Sequence, residues 1–207
     1  MSINDIQKNV SEYYTEKLRA YGPVAKGVDW NSPESQMLRF RQLLKVCNGT
    51  DSFSINDYGC GYGALIEYMI TCGYAFKYRG YDLSEEMVEK ARKLHENIDH
   101  CEFFTNNSSL ETSDFTIASG IFNVKLQIKE DEWEDYILVT LRRIAELSKR
   151  GFSFNALTKY SDKEHMRTDL YYADPLVLFD YCKSNFSKYV ALLHDYPLYE
   201  FTILVKY

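Results

Sequence analysis

SINDYGCGYGALIEYM, residues 54–69, joins a strand pattern with apolar flanks, a run of alternating glycines and a helical pattern. The strand pattern ends at Asp57, and the glycines are Gly59, Gly61 and Gly63. Because glycine has no Cβ atom, the backbone can turn sharply there and a ligand can approach it closely. A strand, a glycine turn and a helix in this order predict a nucleotide bound at the turn.

Two acidic residues bear on which nucleotide this turn would bind. Gly59-x-Gly61-x-x-Ala64 fits the dinucleotide fingerprint, in which a pyrophosphate lies at the start of the helix. Asp57 stands just before the glycines, where a carboxylate disfavours a pyrophosphate and favours an ammonium or sulfonium group. Asp82 closes the next predicted strand, where a carboxylate accepts hydrogen bonds from ribose hydroxyls. The glycines alone leave both nucleotide classes open, and Asp57 favours a ligand with an ammonium or sulfonium group.

The remaining segments predict an α/β fold. Predicted strands cover about 53–57, 77–82, 101–104, 115–122 and 151–157, and predicted helices cover about 3–20, 33–47, 62–72, 84–94, 131–149 and 175–185. Their alternation implies right-handed crossovers and a mostly parallel sheet. The last two β-rich runs, 188–196 and 198–207, are separated by a short break at Pro197 and predict an antiparallel hairpin.

The N-terminal part of the chain is expected to pack over this core. We expect one domain over 1–207, with a lid or cap segment over 1–32 and a core over 33–207. A serine N-cap followed by proline opens the first core helix at Ser32. Three- and four-residue spacing predicts its buried face, which is Met37, Phe40, Leu44 and Cys47.

Composition narrows the class of protein. The formal net charge of −6 and the absence of a Lys/Arg block argue against a nucleic-acid partner. The polar start and the lack of a long apolar run argue against a signal peptide and a membrane span. The five cysteines are scattered without a C-x-x-C pair, which favours reduced thiols in a cytoplasmic protein over a disulfide framework or zinc site. A monomer or homodimer is expected.

The sequence resembles the class I S-adenosylmethionine-dependent methyltransferases. Their acidic strand end followed by G-x-G-x-G is matched by Asp57, Gly59, Gly61 and Gly63, and their acidic residue at the end of strand two by Asp82. The resemblance covers roughly 33–207. It implies a Rossmann-like three-layer α/β sandwich with a mostly parallel seven-stranded sheet and an antiparallel C-terminal hairpin. It also implies S-adenosylmethionine as the cofactor.

Carried over by position, the resemblance also implies site residues. The glycine turn would pass the methionine part of the cofactor, Asp57 would help hold its amino group, and Asp82 would accept from the ribose hydroxyls. Leu83 would lie against the adenine, the loop after strand three would contact it too, and the end of strand four would border the methyl group. The residues expected at the cofactor are Asp57, Gly59, Cys60, Gly61, Asp82, Leu83, Asn106, Asn107, Ser108, Ser119, Gly120 and Phe122. Tyr14, in the N-terminal segment outside the resemblance, is expected to close over the cofactor.

The acceptor site is expected beyond the carboxyl ends of strands four and five, under the N-terminal segment. His165 and His194 are the candidate general bases. Trp30, Arg167, Tyr171 and Tyr172 are the residues expected to bind the acceptor.

Comparison with the motifs of subgroups of this family narrows the expected class of methyl acceptor. The end of strand four reads SGIFNV instead of Asn-Pro-Pro-aromatic, so exocyclic amino groups of bases are disfavoured. Because Ser119 and Asn155 stand where a catechol-type site needs carboxylates, no metal is expected. The expected acceptor is a small polar biosynthetic intermediate that is sugar-derived, phosphate-linked or another hydroxyl, carboxyl or amine compound.

Two rival interpretations remain open on the sequence. One is an NAD(P)-dependent oxidoreductase of Rossmann type, in which the turn cradles a pyrophosphate; Asp57 and the terminal hairpin disfavour it. The other is a non-catalytic partner protein that retains the methyltransferase fold. The intact Asp57, glycines and Asp82 count against a dead site.

Overall fold

A seven-stranded sheet with helices on both sides forms the centre of the molecule in a computed structural model that describes residues 1–207. The strands are β1 Ser52–Tyr58, β2 Ala75–Tyr81, β3 Cys101–Phe104, β4 Ser113–Ala118, β5 Ser148–Leu157, β6 Tyr189–Leu193 and β7 Glu200–Lys206. The helices are α1 Ile3–Tyr21, α2 Pro33–Leu43, α3 Ala64–Thr71, α4 Glu85–Leu94, α5 Glu130–Glu146 and α6 Pro175–Asn185. Short 3-10 helices cover Ala25–Val28, Leu44–Cys47, Asn107–Ser109 and Lys163–His165.

The strand order is β3-β2-β1-β4-β5-β7-β6. The first five strands run parallel, and β7 lies antiparallel between β5 and β6. The α/β fold with a mostly parallel sheet and an antiparallel C-terminal hairpin is therefore confirmed. The chain winds one way from β1 to β3 and the other way from β4 onward, so a crevice opens between the carboxyl ends of β1 and β4.

Local signals fix where the helices begin. Ser32 caps α2 in a capping box with Ser35, and Pro33 occupies the first turn. Ser84 caps α4 by accepting from the backbone N–H of Met87. Asp174 caps α6 by accepting from the backbone N–H of Leu176. Each cap satisfies a backbone donor that the helix itself leaves free.

Two apolar clusters hold the helices on the sheet. The first packs Trp133 and its neighbours on α5 against Phe152 and Phe154 of β5, and it also includes Ile6 and Val10 of α1. The second packs α2, α3 and α4 against the other strands. The N-terminal helix is thus part of the folded core, and its side chains reach the loops at the carboxyl edge of the sheet.

Two details differ from the sequence prediction. Met37 was expected in the buried stripe of α2, but its side chain is 53% exposed, whereas Arg39 is buried. Strand β4 was expected to reach Phe122 but ends at Ala118, because the backbone turns at Gly120, which has a φ of +72°. None of the six helices has the length and the apolar character that a membrane crossing requires.

Gly151 in β5 is a position where a side chain cannot fit. Its φ is +151°, and an added Cβ atom would lie 2.3 Å from the carbonyl oxygen of Val205 in the neighbouring strand. We expect Gly151→Ala to lower the free energy of unfolding by roughly 2–4 kcal/mol, measured by urea denaturation. Gly73→Ala is the matched control, because Gly73 has a positive φ but open space, and it should cost only about 1 kcal/mol. Equal losses in the two variants would contradict this account.

Candidate active site

A cavity lies beyond the carboxyl ends of β1, β2 and β4 and is covered by α1. The glycine turn forms its floor, Asp82 and Leu83 line one side, and Ser119–Ile121 line the other. Val10 and Tyr14 of α1 close it from above. This first cavity occupies the crevice where the sheet changes direction, which is the expected place for a ligand in this class of fold.

The glycine turn is tied to the end of β2 by backbone hydrogen bonds. Gly59 and Cys60 both donate to the carbonyl oxygen of Tyr81, at 2.7 and 2.9 Å. Gly61 donates to Oδ2 of Asp82 at 2.8 Å. The φ angles of Gly59 and Gly61 are +87° and +55°, and a Cβ atom on Gly61 would stand 3.0 Å from the side chain of Val28. The turn therefore needs glycine for both its conformation and its close approach to the N-terminal segment.

Asp57 is a buried carboxyl group at the entrance to this turn. Its side chain lines the first cavity, and the residue is only 3% exposed. The hydroxyl of Tyr78 donates to Oδ2 at 2.7 Å, and Oδ1 has no protein donor. The pKa of Asp57 is raised to about 7, chiefly by burial, with the Tyr78 hydrogen bond acting to lower it and the charge of Asp82 acting to raise it. A cationic group in the cavity would stabilise the ionised form and offset the cost of burying it.

Asp82, which directly follows β2, is the second carboxyl group that lines the first cavity. Oδ2 accepts from Gly61, and Oδ1 accepts from the backbone N–H of Ser84 at 2.9 Å. Burial raises the pKa of Asp82, and these backbone donors act against that rise. Each oxygen keeps a lone pair for a further donor, because an ionised carboxylate has about four acceptor positions. Two adjacent hydroxyl groups would match that capacity.

The loop after β3 does not reach the cavity. Oδ1 of Asn106 accepts from the backbone N–H and the hydroxyl of Ser108, both at 2.9 Å, which closes the turn on itself. Asn107 donates to the hydroxyl of Tyr58 at 3.2 Å, and it is the Tyr58 ring that lines the cavity. The loop residues Asn106, Asn107 and Ser108 therefore lie behind the cavity lining. The aromatic residues that line the cavity are Tyr58, Tyr81 and Tyr136.

The residues that follow β4 line the cavity with one exception to the sequence prediction. Ser119 and Gly120 line the cavity as expected, but Phe122 does not. The turn at Gly120 directs Phe122 into the core, where its ring packs on Phe154 and is fully buried. Ile121 lines the cavity in its place. The hydroxyl of Ser119 is buried without a hydrogen-bond partner, which leaves one polar atom free at this edge.

Residues of the N-terminal segment separate this cavity from a second one. Tyr14, Val28 and Trp30 line both cavities. The indole of Trp30 packs so closely on Gly120 that an added Cβ atom there would lie 2.2 Å from the ring. The two cavities therefore lie side by side and share a wall next to the end of β4. The sequence analysis expected the end of β4 to border the methyl group.

The second cavity contains a buried ion pair that the sequence did not predict. Arg39 of α2 and Glu200 of β7 are both almost fully buried, and Nη2 of Arg39 lies 2.5 Å from Oε1 of Glu200. Asn155 of β5 donates to the same carboxylate, and its Oδ1 accepts from the backbone N–H of Gly120 at 2.8 Å. The ion pair is thereby connected to the edge of the first cavity.

Most of the residues predicted to act on the acceptor line the second cavity. Trp30, His165, Arg167 and Tyr172 line it. Tyr171 instead packs on the core and donates to Glu134 at 2.8 Å.

His194 lies outside both cavities. It is exposed near the end of β6, with its ring against those of Tyr160 and Phe201. His165 also belongs to an exposed group with Asp162 and Glu164, whose ligand atoms lie within 4.8 Å of one another. Exposed acidic groups of this kind are common without a metal ion.

Comparisons with known proteins identify the family. A family profile described as "Methyltransferase domain" matches residues 55–150. A Mycobacterium tuberculosis protein named "Putative methyltransferase Rv1506c" is 51% identical over 163 residues, which are 79% of this chain and 98% of that protein.

Solved structures show the same fold. Magnesium protoporphyrin IX methyltransferase from Synechocystis PCC 6803 with bound S-adenosylmethionine has a TM-score of 0.66, 17% identity and 97% coverage of both chains. The N-methyltransferase NodS from Bradyrhizobium japonicum WM9, in complex with S-adenosylhomocysteine, has a TM-score of 0.65, 13% identity, and coverage of 96% of this chain and 98% of its own. With its glycine turn, its two carboxylates and a close relative that bears a methyltransferase name, the chain belongs to the S-adenosylmethionine-dependent methyltransferases.

Proposed function

We propose that the protein transfers the methyl group of S-adenosylmethionine to a small polar biosynthetic intermediate bound in the second cavity. The observation that carries this proposal is the wall of Tyr14, Val28 and Trp30 that the two cavities share. Methyl transfer from a sulfonium is an in-line displacement, so donor and acceptor must lie next to each other with water kept out. Two adjoining cavities beneath the 1–32 segment, which we propose acts as a lid, meet this requirement.

The residues of the first cavity fit the methyl donor. The carboxylate of Asp57 suits the donor's ammonium group, and the free acceptor positions on Asp82 suit its two ribose hydroxyls. Ser119 and Gly120 would border the reacting carbon, which the bound sulfonium makes electrophilic. The protein's own contribution is to hold this carbon in line with the acceptor atom.

The second cavity supports a polar, low-molecular-weight acceptor. Its lining mixes aromatic and apolar side chains with Arg39, Arg167, Asn123 and His165. Acceptors of the hydroxyl, carboxyl, amine or phosphate-linked classes match such a lining. A net charge of −6 disfavours a nucleic-acid acceptor.

Proton removal is needed only where the acceptor atom carries a proton. We propose His165 as the general base, because it lines the second cavity and His194 does not. Tyr14 lies in the shared wall, and burial raises its pKa far above the ordinary value. Its hydroxyl therefore stays protonated and is suited to donate a hydrogen bond rather than to remove a proton.

Transfer from methyl-tritiated S-adenosylmethionine tests the proposed acceptor class. The protein would be incubated with the small-molecule, protein and nucleic-acid fractions of a cell extract in turn. We expect the label in the small-molecule fraction alone. Label carried by RNA, DNA or protein would contradict the proposal.

Asp82→Asn should weaken binding of S-adenosylhomocysteine about ten-fold or more, because it removes a charge-assisted acceptor for the ribose. Isothermal titration calorimetry would measure the Kd. Asp114→Asn is the matched control, since Asp114 also accepts from a backbone N–H, that of Ser54 at 2.8 Å, but lies outside the cavity. A Kd unchanged by Asp82→Asn would remove Asp82 from the site.

Asp57 predicts a pH dependence of cofactor binding. Its pKa of about 7 means that the carboxyl is protonated below that pH and cannot pair with an ammonium group. Affinity for S-adenosylhomocysteine should therefore fall as the pH drops below 7, approaching about ten-fold per pH unit at the limit. Asp57→Asn keeps a hydrogen-bond acceptor for Tyr78 but cannot ionise. The affinity of this variant for S-adenosylhomocysteine should therefore be lower than that of wild type above pH 7 and should not change with pH over the same range. A parallel slope in wild type and variant would rule out Asp57 as the titrating group.

His165→Ala should lower kcat for an acceptor identified by the labelling experiment while leaving the Kd for S-adenosylhomocysteine unchanged. An acceptor that loses a proton on methylation should show a loss of about 100-fold or more. His194→Ala is the matched control and should retain wild-type turnover. If both variants turn over normally, the reaction depends on positioning alone.

A further inference from the structure

Arg39 is the least expected side chain of the second cavity. It belongs to the buried face of α2, and its side chain is 8% exposed. Nε and Nη2 donate to the carboxylate of Glu200 at distances of 2.5 to 2.9 Å. Nη1 is buried and has no hydrogen-bond partner. One edge of the guanidinium is therefore paired, and the edge between Nη1 and Nη2 is not.

An unpaired buried donor is costly, since it loses its hydrogen bonds to water and gains none in return. The cost is larger for a charged group than for a neutral one. A group that binds Arg39 in the working state of the enzyme would remove this cost. The second cavity, which Arg39 lines, is where such a group would be located.

The acidic side chains of this cavity are already paired with protein donors. Asp29 accepts from the hydroxyl of Tyr13 and from Nζ of Lys17, both at 2.7 Å. Glu200 accepts from Arg39 and from Asn155. The unused hydrogen-bonding capacity of the lining is therefore dominated by donors. A donor-rich lining with a free guanidinium edge favours an acceptor molecule that carries an oxyanion.

Arg39 is also connected to the place of methyl transfer. Its guanidinium carbon lies 3.8 Å from the centre of the Trp30 ring, which covers it, and Trp30 packs on Gly120. Asn155 joins the paired Glu200 to the backbone of Gly120 from the other side. An anion held at Arg39 would therefore lie next to Trp30, which belongs to the shared wall.

We propose that Arg39 binds an oxyanion of the acceptor, either a carboxylate or a phosphate group, through the Nη1–Nη2 edge of its guanidinium. Glu200 holds the opposite edge and fixes the orientation of the fork. This inference rests on the proposed function, because it concerns the substrate of the same site. Arg167 is the less suitable cation, since it pairs with Asp169 and is half exposed.

Trp30 provides a signal for the test. The protein has two tryptophans, and Trp133→Phe leaves Trp30 as the only one. Fluorescence of this variant, saturated with S-adenosylhomocysteine, would be followed during titration with acetate, inorganic phosphate, the uncharged analogue acetamide, and chloride as the ionic-strength control. We expect a saturable change with acetate or phosphate and none with acetamide or chloride. The anion that binds more tightly shows whether the charged group of the acceptor is a carboxylate or a phosphate.

Substitutions then assign the signal to Arg39. Removing Arg39 alone would leave Glu200 buried without a partner, which threatens folding. Arg39→Gln with Glu200→Gln removes both charges, and circular dichroism would verify the fold. This double variant should lose the anion response. Glu200→Gln alone removes the negative charge that competes with the anion for Arg39 and should tighten anion binding several-fold. Arg79→Gln is the matched control, because Arg79 also pairs with carboxylates but lies outside the second cavity, and it should leave anion binding within about two-fold of wild type.

The outcomes separate the two proposals. Failure to bind S-adenosylhomocysteine would overturn the proposed function itself. Normal binding of S-adenosylhomocysteine with no anion response, or with a response that survives in the double variant, would overturn the role of Arg39 and leave the methyl-transfer proposal standing.

Discussion

The hydrogen bonds between the glycine turn and the end of β2 are the constraint on which the site depends. The carbonyl oxygen of Tyr81 accepts from Gly59 and Cys60, and the carboxylate of Asp82 accepts from Gly61. These bonds hold the turn that leaves β1 against the residue that ends β2. The carboxyl groups of Asp57 and Asp82 are thereby held in the lining of one cavity.

The fold was predictable because its signals are local. Alternation of strand and helix patterns, serine caps at Ser32 and Ser84, and the break at Pro197 each act within a few residues. The end of β4 was not predictable in this way, since FTIASGIF is apolar throughout and only the turn at Gly120 ends the strand. An apolar run shows that a segment is buried, but it does not show where the segment stops being a strand.

The sequence likewise predicted the site residues that lie near the glycines, and it did not predict those that depend on distant partners. Asp57 and Asp82 stand at fixed positions relative to the glycines, so the sequence pointed to them. Arg39 and Glu200 are 161 positions apart, and a polar residue inside a helix gives no sign of a distant partner. The expected stripe through Met37 was shifted around α2, because burying Arg39 against Glu200 overrides the preference for an apolar face. Asn106, Asn107 and Ser108 lie outside the cavity lining, because a short polar loop closes on itself as readily as it faces a ligand.

The wall of Tyr14, Val28 and Trp30 has a thermodynamic consequence. One set of side chains borders both cavities, so a displacement of these side chains by a ligand on one side would change the free energy of binding on the other. Such coupling is reciprocal, and each ligand must alter the affinity of the other by the same factor. Where two ligands favour the same position of this wall, each would be bound more tightly in the presence of the other.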